Sequence, residues 1–362
     1  MSVRADERPV RPRRPVETVL SVDGLDVSVP SGARAVRDVS FTVADGESVG
    51  LVGESGSGKS LTCRSVLGVL PPGCAVTGGR IGLPATGADL TAYTRAQWNR
   101  VRGRVIGAVF QDPASYLNPS LTVGRQLAEQ LRVGRGLSRS WARARAVELL
   151  AAVGLHEPDE VYRRYPHELS GGMLQRVLIA TAVSCEPRLL VADEATTALD
   201  VVVQAEILEL LRRLREDSGL ALLLVTHDLA VVAENCDRVL VMYAGEIVEE
   251  GPTTRVLAAP AHPYTEALLR VASVDPADRR DLAVIPGRPP EAGADLPGCR
   301  FAERCAHVTS ECTAGPVATR TFEDGRTARC LHPVNPDRAA PPQTGQATGA
   351  TTSAPAPKGA SA

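Results

Sequence analysis

A glycine-rich loop at residues 53–60, which reads GESGSGKS, constrains the fold of this chain more than any other feature. The apolar residues 48–52 before it are typical of a strand, and residues 61–67 after it can continue as a helix. This order, with the pattern GxxxxGK[ST], is that of a phosphate-binding loop, in which backbone N–H groups and the helix dipole face phosphate oxygens. Its candidate binding residues, which we call the phosphate loop, are Gly53, Glu54, Ser55, Gly56, Ser57, Gly58, Lys59 and Ser60.

The lysine of this loop stands out because lysine is scarce in the chain. Of the 40 basic residues only Lys59 and Lys358 are lysines, so arginine supplies almost all of the positive charge. In a phosphate loop the lysine reaches the β- and γ-phosphates, and the hydroxyl that follows, here Ser60, ligates Mg²⁺. A plain Gly/Ser-rich turn is the alternative interpretation, and both the scarcity of lysine and the strand–loop–helix context argue against it.

Residues 189–193 are an apolar segment that is typical of a buried strand. Two acidic residues stand at its end, Asp193 as its last residue and Glu194 directly after it. Asp193 is placed to hold Mg²⁺ through water, and Glu194 is placed to polarise an attacking water as general base. A helix cap is the alternative for such a pair. The phosphate loop in the same chain favours the catalytic interpretation.

Two more polar residues follow segments that are typical of strands. Gln111 comes directly after residues 105–110, where its amide could reach the metal and the nucleophilic water. His227 comes directly after residues 222–226, where its imidazole could contact the γ-phosphate or steer Glu194. Alone, each would be interpreted as a surface or cap residue. Their order along the chain favours a role at the nucleotide site.

A second candidate anion site begins the apolar helical stretch at residues 176–183. Ser170, Gly171 and Gly172 precede it in the sequence LSGGMLQ, and a serine with two glycines at a helix start can cradle an anion. Because the chain has two such helix starts but one lysine site, we expect the second to serve the nucleotide of another subunit. A helix N-cap followed by a flexible Gly-Gly turn is the alternative.

Short strand-like segments alternate with helical segments along most of the chain, which predicts an α/β fold with a mainly parallel sheet. Residues 113–185 hold no convincing strand and are interpreted as an inserted helical subdomain. Composition predicts a main domain at residues 17–255 and a small Cys-rich C-terminal domain at residues 256–335. It also predicts two disordered tails, at residues 1–16 and 336–362. The predicted strands are residues 18–22, 47–52, 106–110, 189–192, 220–225 and 238–243, and two predicted helices are residues 141–153 and 203–216.

Charge and hydropathy exclude several classes of protein. The formal net charge is −2, so the chain lacks the basic field that favours nucleic-acid binding. No apolar stretch approaches the roughly 20 residues of a membrane-spanning helix. The first 15 residues carry arginines without an apolar segment behind them, so a secretory signal is not expected. We therefore expect the protein in the cytoplasm, where disulfides are rare.

Taken in order, these motifs resemble the ATP-binding-cassette (ABC) ATPases over roughly residues 18–255. The motifs are GESGSGKS, Gln111, LSGGMLQ, LLVADE, Ala198-Leu199-Asp200 and Thr226-His227-Asp228. Within that family, FQDPASYLNP, HPYTEALL and IPGRPPEAGADLPGCRFAERC resemble the dipeptide/oligopeptide (peptide/nickel) importer branch. The resemblance implies a P-loop NTPase core with a RecA-like sheet subdomain, a helical subdomain and a small Cys-rich C-terminal extension.

The resemblance also implies a mechanism and partners. ATP would be sandwiched in a head-to-tail dimer between the phosphate loop of one subunit and the Ser170-Gly171-Gly172 cradle of the other, with Gln175 and Asp200 also at the nucleotide. The second ATPase subunit could be identical or distinct. Two membrane permeases and an extracytoplasmic solute-binding protein would complete a peptide importer, with this chain peripheral at the cytoplasmic face of the membrane and no nucleic acid bound.

A soluble ABC-type ATPase acting on nucleic acid or the ribosome is the alternative function. Such proteins normally have tandem cassettes or a long coiled-coil insertion, and this sequence has neither. One departure from the family pattern bears on nucleotide affinity. Val29 stands where the family usually places an aromatic ring that stacks on adenine.

Four of the eight cysteines crowd into the C-terminal region: Cys299, Cys305, Cys312 and Cys330. Their spacing differs from the CxxC pairs of a zinc ribbon, so zinc is less favoured but stays open, as do four reduced thiols packed in a small domain. The resemblance implies that these four ligate a 4Fe-4S cluster. We expect loss of that ligand to unfold the extension before it affects ATP hydrolysis. An extension that senses redox state and gates the ATPase is a compatible further possibility.

Overall fold

The structure is a computed structural model, and it describes residues 17–84, 87–196, 199–273, 284–294 and 296–335. The two predicted tails, residues 1–16 and 336–362, lie outside the described residues, as does Ala198 of the Ala198-Leu199-Asp200 motif.

The strands of the described residues form two sheets. They are β1 (Thr18–Ser28), β2 (Arg34–Ala44), β3 (Ser48–Val52), β4 (Ala75–Leu83), β5 (Ala88–Asp89), β6 (Ile106–Phe110), β7 (Leu189–Asp193), β8 (Ala221–Val225), β9 (Arg238–Tyr243), β10 (Glu246–Pro252), β11 (Arg320–Thr321) and β12 (Thr327–Ala328).

Helices cover the main sheet and fill the connections between its strands. They are α1 (Lys59–Leu67), α2 (Arg95–Val101), α3 (Val123–Arg135), α4 (Arg139–Ala152), α5 (Pro158–Arg163), α6 (Gly171–Val183), α7 (Val201–Ser218), α8 (Leu229–Asn235), α9 (Thr253–Ala258), α10 (Pro263–Ala272) and α11 (Glu311–Ala314). Short 3₁₀ turns occur at residues 90–92, 113–116, 166–168 and 302–304.

The main sheet has the strand order β11-β12-β10-β9-β3-β8-β7-β6, and its β9-β3-β8-β7-β6 part is parallel. Every residue of β3, β7 and β8 is buried, as expected for parallel strands covered on both faces. The register aligns Phe110 with Asp193 and Asp193 with Val225. The carboxyl ends of these strands therefore meet at one edge of the sheet, and the predicted α/β fold is confirmed.

The first predicted strand belongs to a different sheet. β1 runs to Ser28 and pairs antiparallel with β2 and β4, in a four-stranded sheet of order β2-β1-β4-β5. Residues of this sheet and of β3, β7 and β8 share one apolar cluster, so the two sheets pack against each other. The mainly parallel prediction missed this sheet because alternating burial, as in β2, fits either strand direction.

Residues 113–185, all of which the structure describes, contain helices and turns and no strand. Side-chain hydroxyls fix where the helices begin. Thr122 accepts a hydrogen bond from the N–H of Arg125 at the start of α3, and Ser138 accepts one from Trp141 at the start of α4. Such N-caps satisfy backbone donors that the first turn of a helix leaves unpaired.

The C-terminal region shares the core of the rest of the protein. Strand β12 pairs with β10 and so extends the main sheet. Val256, Tyr264 and Phe301 lie in the same apolar cluster as the helices of residues 113–185. The composition change near residue 255 is therefore no break in packing. A segment this short cannot bury enough apolar surface alone and packs on the larger unit.

Candidate functional site

The phosphate loop follows β3 and enters α1 with a backbone that only glycine fits at two points. Gly53 has φ of 154° and Gly58 has φ of 105°. A Cβ atom at residue 53 would lie 2.1 Å from the carbonyl oxygen of Met242, and one at residue 58 would lie 2.8 Å from the Met242 methyl carbon. Close packing against β9 thus requires both glycines.

Lys59 begins α1 and is buried. Its Nζ donates to the carbonyl oxygens of Gly53, at 2.8 Å, and Glu54, at 3.0 Å. Burial lowers the pKa of the ammonium, while the carboxylates of Glu194 and Asp193 oppose that shift. The one lysine of the described residues is therefore held at the phosphate loop, close to two acidic groups.

Ser60 and Asp193 are brought together from the two sides of the predicted magnesium site. The Ser60 hydroxyl donates to Oδ1 of Asp193 at 3.1 Å. Asp193 ends β7 with 5% of its surface exposed, and burial raises the pKa of its carboxyl group. A hydroxyl and a carboxylate side by side are the oxygen ligands that Mg²⁺ prefers.

The hydroxyl of Ser57 is buried and has no hydrogen-bond partner in the described part of the chain. Buried polar atoms are nearly always paired, and an unpaired one indicates a missing partner. Because Ser57 lies inside the phosphate loop, an oxygen of a bound phosphate group would be such a partner. The loop therefore fits a nucleotide triphosphate.

Glu194 follows Asp193 in a strained backbone conformation, with φ of 50° in the left-handed region. Its N–H donates to the carbonyl oxygen of Val225, which fixes it to β8. Its Oε1 lies 3.9 Å from Nδ1 of His227, so the structure brings these two predicted residues together. Gln111 is exposed directly after β6, at the same edge of the sheet.

The second cradle is built at the start of α6. Ser170 caps the helix by accepting a hydrogen bond from the N–H of Met173 at 3.4 Å. A Cβ at Gly172 would lie 2.7 Å from a methyl carbon of Val203, so this helix start packs against α7. Asp200 caps α7 by accepting from the N–H of Val203 at 2.9 Å.

Gln175 does not lie at the surface of this cradle. Its side chain is buried, with 1% of the residue exposed, and its Nε2 has no partner among the described residues. The reason is helical geometry, because position 175 shares the buried face of α6 with Leu178 and Ile179. The contact of Gln175 with a nucleotide across a dimer interface stays a prediction.

The four C-terminal cysteines line one pocket, which we call the thiol pocket. Burial raises the pKa of Cys299, Cys305 and Cys330, that of Cys330 to about 12, and neighbouring cysteines add to each shift. All eight cysteines of the chain are free thiols. Other lining residues include His262, Phe301, His307 and His332.

Within the described residues, no group of three or more His, Cys, Asp or Glu side chains is arranged to hold a single metal ion. A tetrahedral zinc site would need sulfur atoms roughly 3.8 Å apart around one ion. The described residues show four free thiols around one pocket, and the iron–sulfur, zinc and reduced-thiol alternatives all stay predictions.

Sequence reasoning missed a contact between the C-terminal region and the phosphate loop. Arg304 forms an ion pair with the carboxylate of Glu54, and the Tyr264 hydroxyl accepts a hydrogen bond from the Glu54 N–H at 2.8 Å. The only available signal was Arg304 beside Cys305, and nothing in the sequence indicates its partner.

No helix in the described ranges is both long and apolar enough to span a membrane.

Profiles of two protein families match the chain. The ABC transporter profile matches residues 36–197, and the profile for the oligopeptide/dipeptide transporter C-terminal region matches residues 248–312. The oligopeptide transport ATP-binding protein AppD of Bacillus subtilis is 44% identical over 300 residues, which are 82% of this chain and 90% of that protein. The dipeptide transport ATP-binding protein DppD of Escherichia coli is 43% identical over 317 residues, which are 87% of this chain and 95% of that protein.

Solved structures of ABC proteins share the fold at 28% sequence identity. One is cbiO1 from Clostridium perfringens, part of the ABC transporter complex cbiONQ, with a TM-score of 0.59 over 67% of this chain and 91% of that chain. Another is the ATP-binding cassette MJ0796 in a post-hydrolysis dimer bound to ADP and Pi, with a TM-score of 0.58 over 65% of this chain and 98% of that chain.

The fold and the phosphate loop thus define a P-loop ATPase. More particularly, the chain belongs to the ABC transporter family, in the group of oligopeptide/dipeptide transport ATP-binding proteins. The resemblance found in the sequence is confirmed.

Proposed function

We propose that this chain is the ATP-hydrolysing subunit that energises import of peptides or related small solutes across the cytoplasmic membrane. The observation that carries the proposal is the phosphate loop itself, where the buried Lys59 and the Ser60–Asp193 pair meet at the carboxyl edge of a parallel sheet. The names of the 42–44% identical relatives, which are peptide transport ATP-binding proteins, support the cargo class.

The phosphate loop would bind the triphosphate of ATP. Its backbone N–H groups and the start of α1 face anionic oxygens, Lys59 neutralises β- and γ-phosphate charge, and the unpaired Ser57 hydroxyl donates to a phosphate oxygen. Ser60 and Asp193 would hold Mg²⁺, with Gln111 as a further ligand from the end of β6. The metal ion supplies neutralisation of the charge that develops on the phosphates.

Glu194 would act as general base. It takes a proton from the water that attacks the γ-phosphorus, while the bond between that phosphorus and the leaving oxygen of ADP breaks. His227, 3.9 Å away, would orient the carboxylate or contact the γ-phosphate. Gln111 would orient the water. Because the strained backbone of Glu194 is tied to β8, its carboxylate is placed in advance of the reaction.

A dimer would complete the site. The Ser170-Gly171-Gly172 cradle and Asp200 begin two neighbouring helices and have no lysine of their own, so they would face the nucleotide of a second ABC ATPase subunit, identical or distinct. ATP would then close the dimer and hydrolysis would reopen it. Two permeases would receive this motion, an extracytoplasmic solute-binding protein would deliver the cargo, and this chain would lie peripherally at the cytoplasmic face of the membrane.

The thiol pocket would hold a 4Fe-4S cluster, in which each of the four cysteines ligates a different iron. The four cysteines line one pocket, and this shared lining is the observation that supports the proposal. We assign ATP hydrolysis to residues 17–255 and the cluster to residues 256–335. Anaerobically purified protein should be brown, with iron and sulfide in equal amounts. A colourless protein with stoichiometric zinc contradicts the assignment.

To test the transport function, we would express tagged Glu194→Gln in the native cell, where a closed ATP-bound dimer should persist. Mass spectrometry would identify what co-purifies from detergent-solubilised membranes, with Glu216→Gln, an exposed glutamate on α7, as the control. Two permeases and a second ABC ATPase, enriched over the control, are expected. Recovery in the soluble fraction with ribosomes or nucleic acid would instead establish the alternative, a soluble ABC-type ATPase.

A further inference from the structure

Two side chains from the C-terminal region hold the second residue of the phosphate loop, Glu54. The guanidinium of Arg304 binds its carboxylate with both terminal nitrogens, Nη1 at 2.6 Å from Oε2 and Nη2 at 3.0 Å from Oε1. The Tyr264 hydroxyl binds the Glu54 N–H. A bidentate pair of this kind fixes direction as well as distance.

The surroundings of Arg304 leave it little freedom. Its side chain is 3% exposed, and its N–H groups also donate to the Tyr243 hydroxyl and to the carbonyl oxygens of Ile285 and Pro286. Together with Glu54 these contacts number five, which equals the N–H donors of a guanidinium. The guanidinium is therefore oriented towards the carboxylate of Glu54 by neutral groups, which are two carbonyl oxygens of the C-terminal region and the Tyr243 hydroxyl at the end of β9.

The carboxylate that Arg304 neutralises acts on the lysine that would receive the triphosphate. The carbonyl oxygen of Glu54 accepts from Nζ of Lys59 at 3.0 Å, and the charge of the Glu54 carboxylate opposes the burial that lowers the pKa of this ammonium. An unpaired carboxylate there would repel phosphate oxygens and compete for Lys59. The bidentate contact removes both effects and keeps the start of the loop in place.

We propose that Arg304 is a positioning residue of the ATP site, through which the C-terminal extension holds the phosphate loop and neutralises Glu54 within the same chain. This rests on the ATP binding proposed above. The neighbouring residue, Cys305, and the nearby Phe301 both line the thiol pocket, so the position of Arg304 depends on the order of that pocket. The extension is then a working part of the ATP site.

The test compares ATP dissociation constants of the full chain, purified anaerobically, for wild type, Arg304→Gln, Glu54→Gln and the double variant. Arg304→Gln should weaken ATP binding roughly tenfold, with KM raised in parallel and kcat changed by less than about twofold. The double variant should recover most of the affinity, because no carboxylate is then left unpaired. Arg304→Lys should recover part of it.

The matched control is Arg329→Gln, which removes another arginine of the extension that pairs with Asp38 and Glu246 away from the phosphate loop. It should bind ATP as wild type does. If Arg304 only stabilises the extension, Glu54→Gln will fail to rescue the double variant, and the proposal is wrong. Unchanged affinity in Arg304→Gln would also overturn it.

Failure of the proposed ATP binding, on which this inference rests, would look different, because wild type itself would then not bind ATP. Should Arg304→Gln fold poorly, Arg304→Lys decides instead, since lysine keeps the positive charge and cannot make the bidentate contact. Its ATP affinity should be lower than that of wild type. Wild-type affinity in Arg304→Lys would show that the bidentate contact does not position the phosphate loop, and the proposal is then wrong.

Discussion

The phosphate loop and the thiol pocket are built in opposite ways. The phosphate loop is eight consecutive residues between a fully buried strand and a helix, and its shape follows from backbone geometry at Gly53 and Gly58. The thiol pocket collects four cysteines from residues 299–330, where regular structure is limited to a 3₁₀ turn, a four-residue helix and two strands of two residues each.

This difference determines what stabilises each region. Hydrogen bonds of the parallel sheet hold the phosphate loop, whereas the thiol pocket packs through Phe301, Cys299 and Cys305 on the apolar core of the larger unit. A bound cluster would add to this packing by tying the four cysteines together. The two regions meet at Arg304 and Glu54, and the following predictions probe how independent they are.

Glu194→Gln should give the largest effect and leave the thiol pocket untouched. Removing the general base should lower kcat by about 10² to 10⁴, because amides do not take up the proton of the attacking water. ATP binding and the iron content should match wild type. Single-turnover ATPase assays check the rate, with Glu216→Gln as the control; comparable hydrolysis in both variants would exclude Glu194 as the base.

Cys330→Ser should break the thiol pocket and reach the ATP site through Arg304. Loss of one of four ligands should release the cluster and make residues 284–335 sensitive to limited proteolysis. ATP affinity should fall roughly tenfold, as in Arg304→Gln, while kcat at saturating ATP should change by less than about twofold.

Cys74→Ser is the matched control for this variant, because Cys74 is a half-buried thiol outside the thiol pocket. It should retain iron, protease resistance and ATP affinity. If Cys330→Ser loses iron and keeps full ATP affinity, ATP binding does not depend on the thiol pocket.

The phosphate loop and the strand-end residues could be predicted because their signals are local. GESGSGKS is contiguous, and buried apolar runs place Gln111, Asp193 and His227 at one edge of any parallel sheet that contains them. The helical nature of residues 113–185 could be predicted for the same reason. In α3, for example, the buried residues recur with a helical period.

What could not be predicted depends on distant partners. Strands β11 and β12 have two residues each, too few for any periodic signal, and their place is set by pairing with β10. The burial of Gln175 depends on which face of α6 packs inward. The sequence contains 42 acidic residues that could pair with Arg304. Only the fold shows that its partner is Glu54.

Val29→Tyr should strengthen ATP binding at the site that the phosphate loop forms. Val29 follows β1 and begins a turn closed by the hydrogen bond from its N–H to the carbonyl oxygen of Ala33, so a ring there would be held by the backbone. Stacking of an aromatic ring on adenine contributes roughly 1–3 kcal/mol. ATP affinity should rise at least about fivefold.

Val29→Leu serves as the control for added bulk without a ring and should bind ATP as wild type does. Isothermal titration with ATP and with tripolyphosphate separates base from phosphate contacts. A gain that is equal for both ligands would show that the ring does not contact the base.

Ser57→Ala should have the smallest effect and separates stability from binding within the phosphate loop. The Ser57 hydroxyl is buried without a partner in the described residues, so its removal should stabilise the nucleotide-free protein by about 1 kcal/mol. The same change removes a donor to phosphate and should weaken ATP binding roughly fivefold. Ser120→Ala, at an exposed position outside the phosphate loop, should change neither quantity. Thermal midpoints measured with and without ATP provide both numbers. If Ser57→Ala lowers stability without nucleotide, the hydroxyl already has a partner, and the phosphate loop is satisfied before ATP arrives.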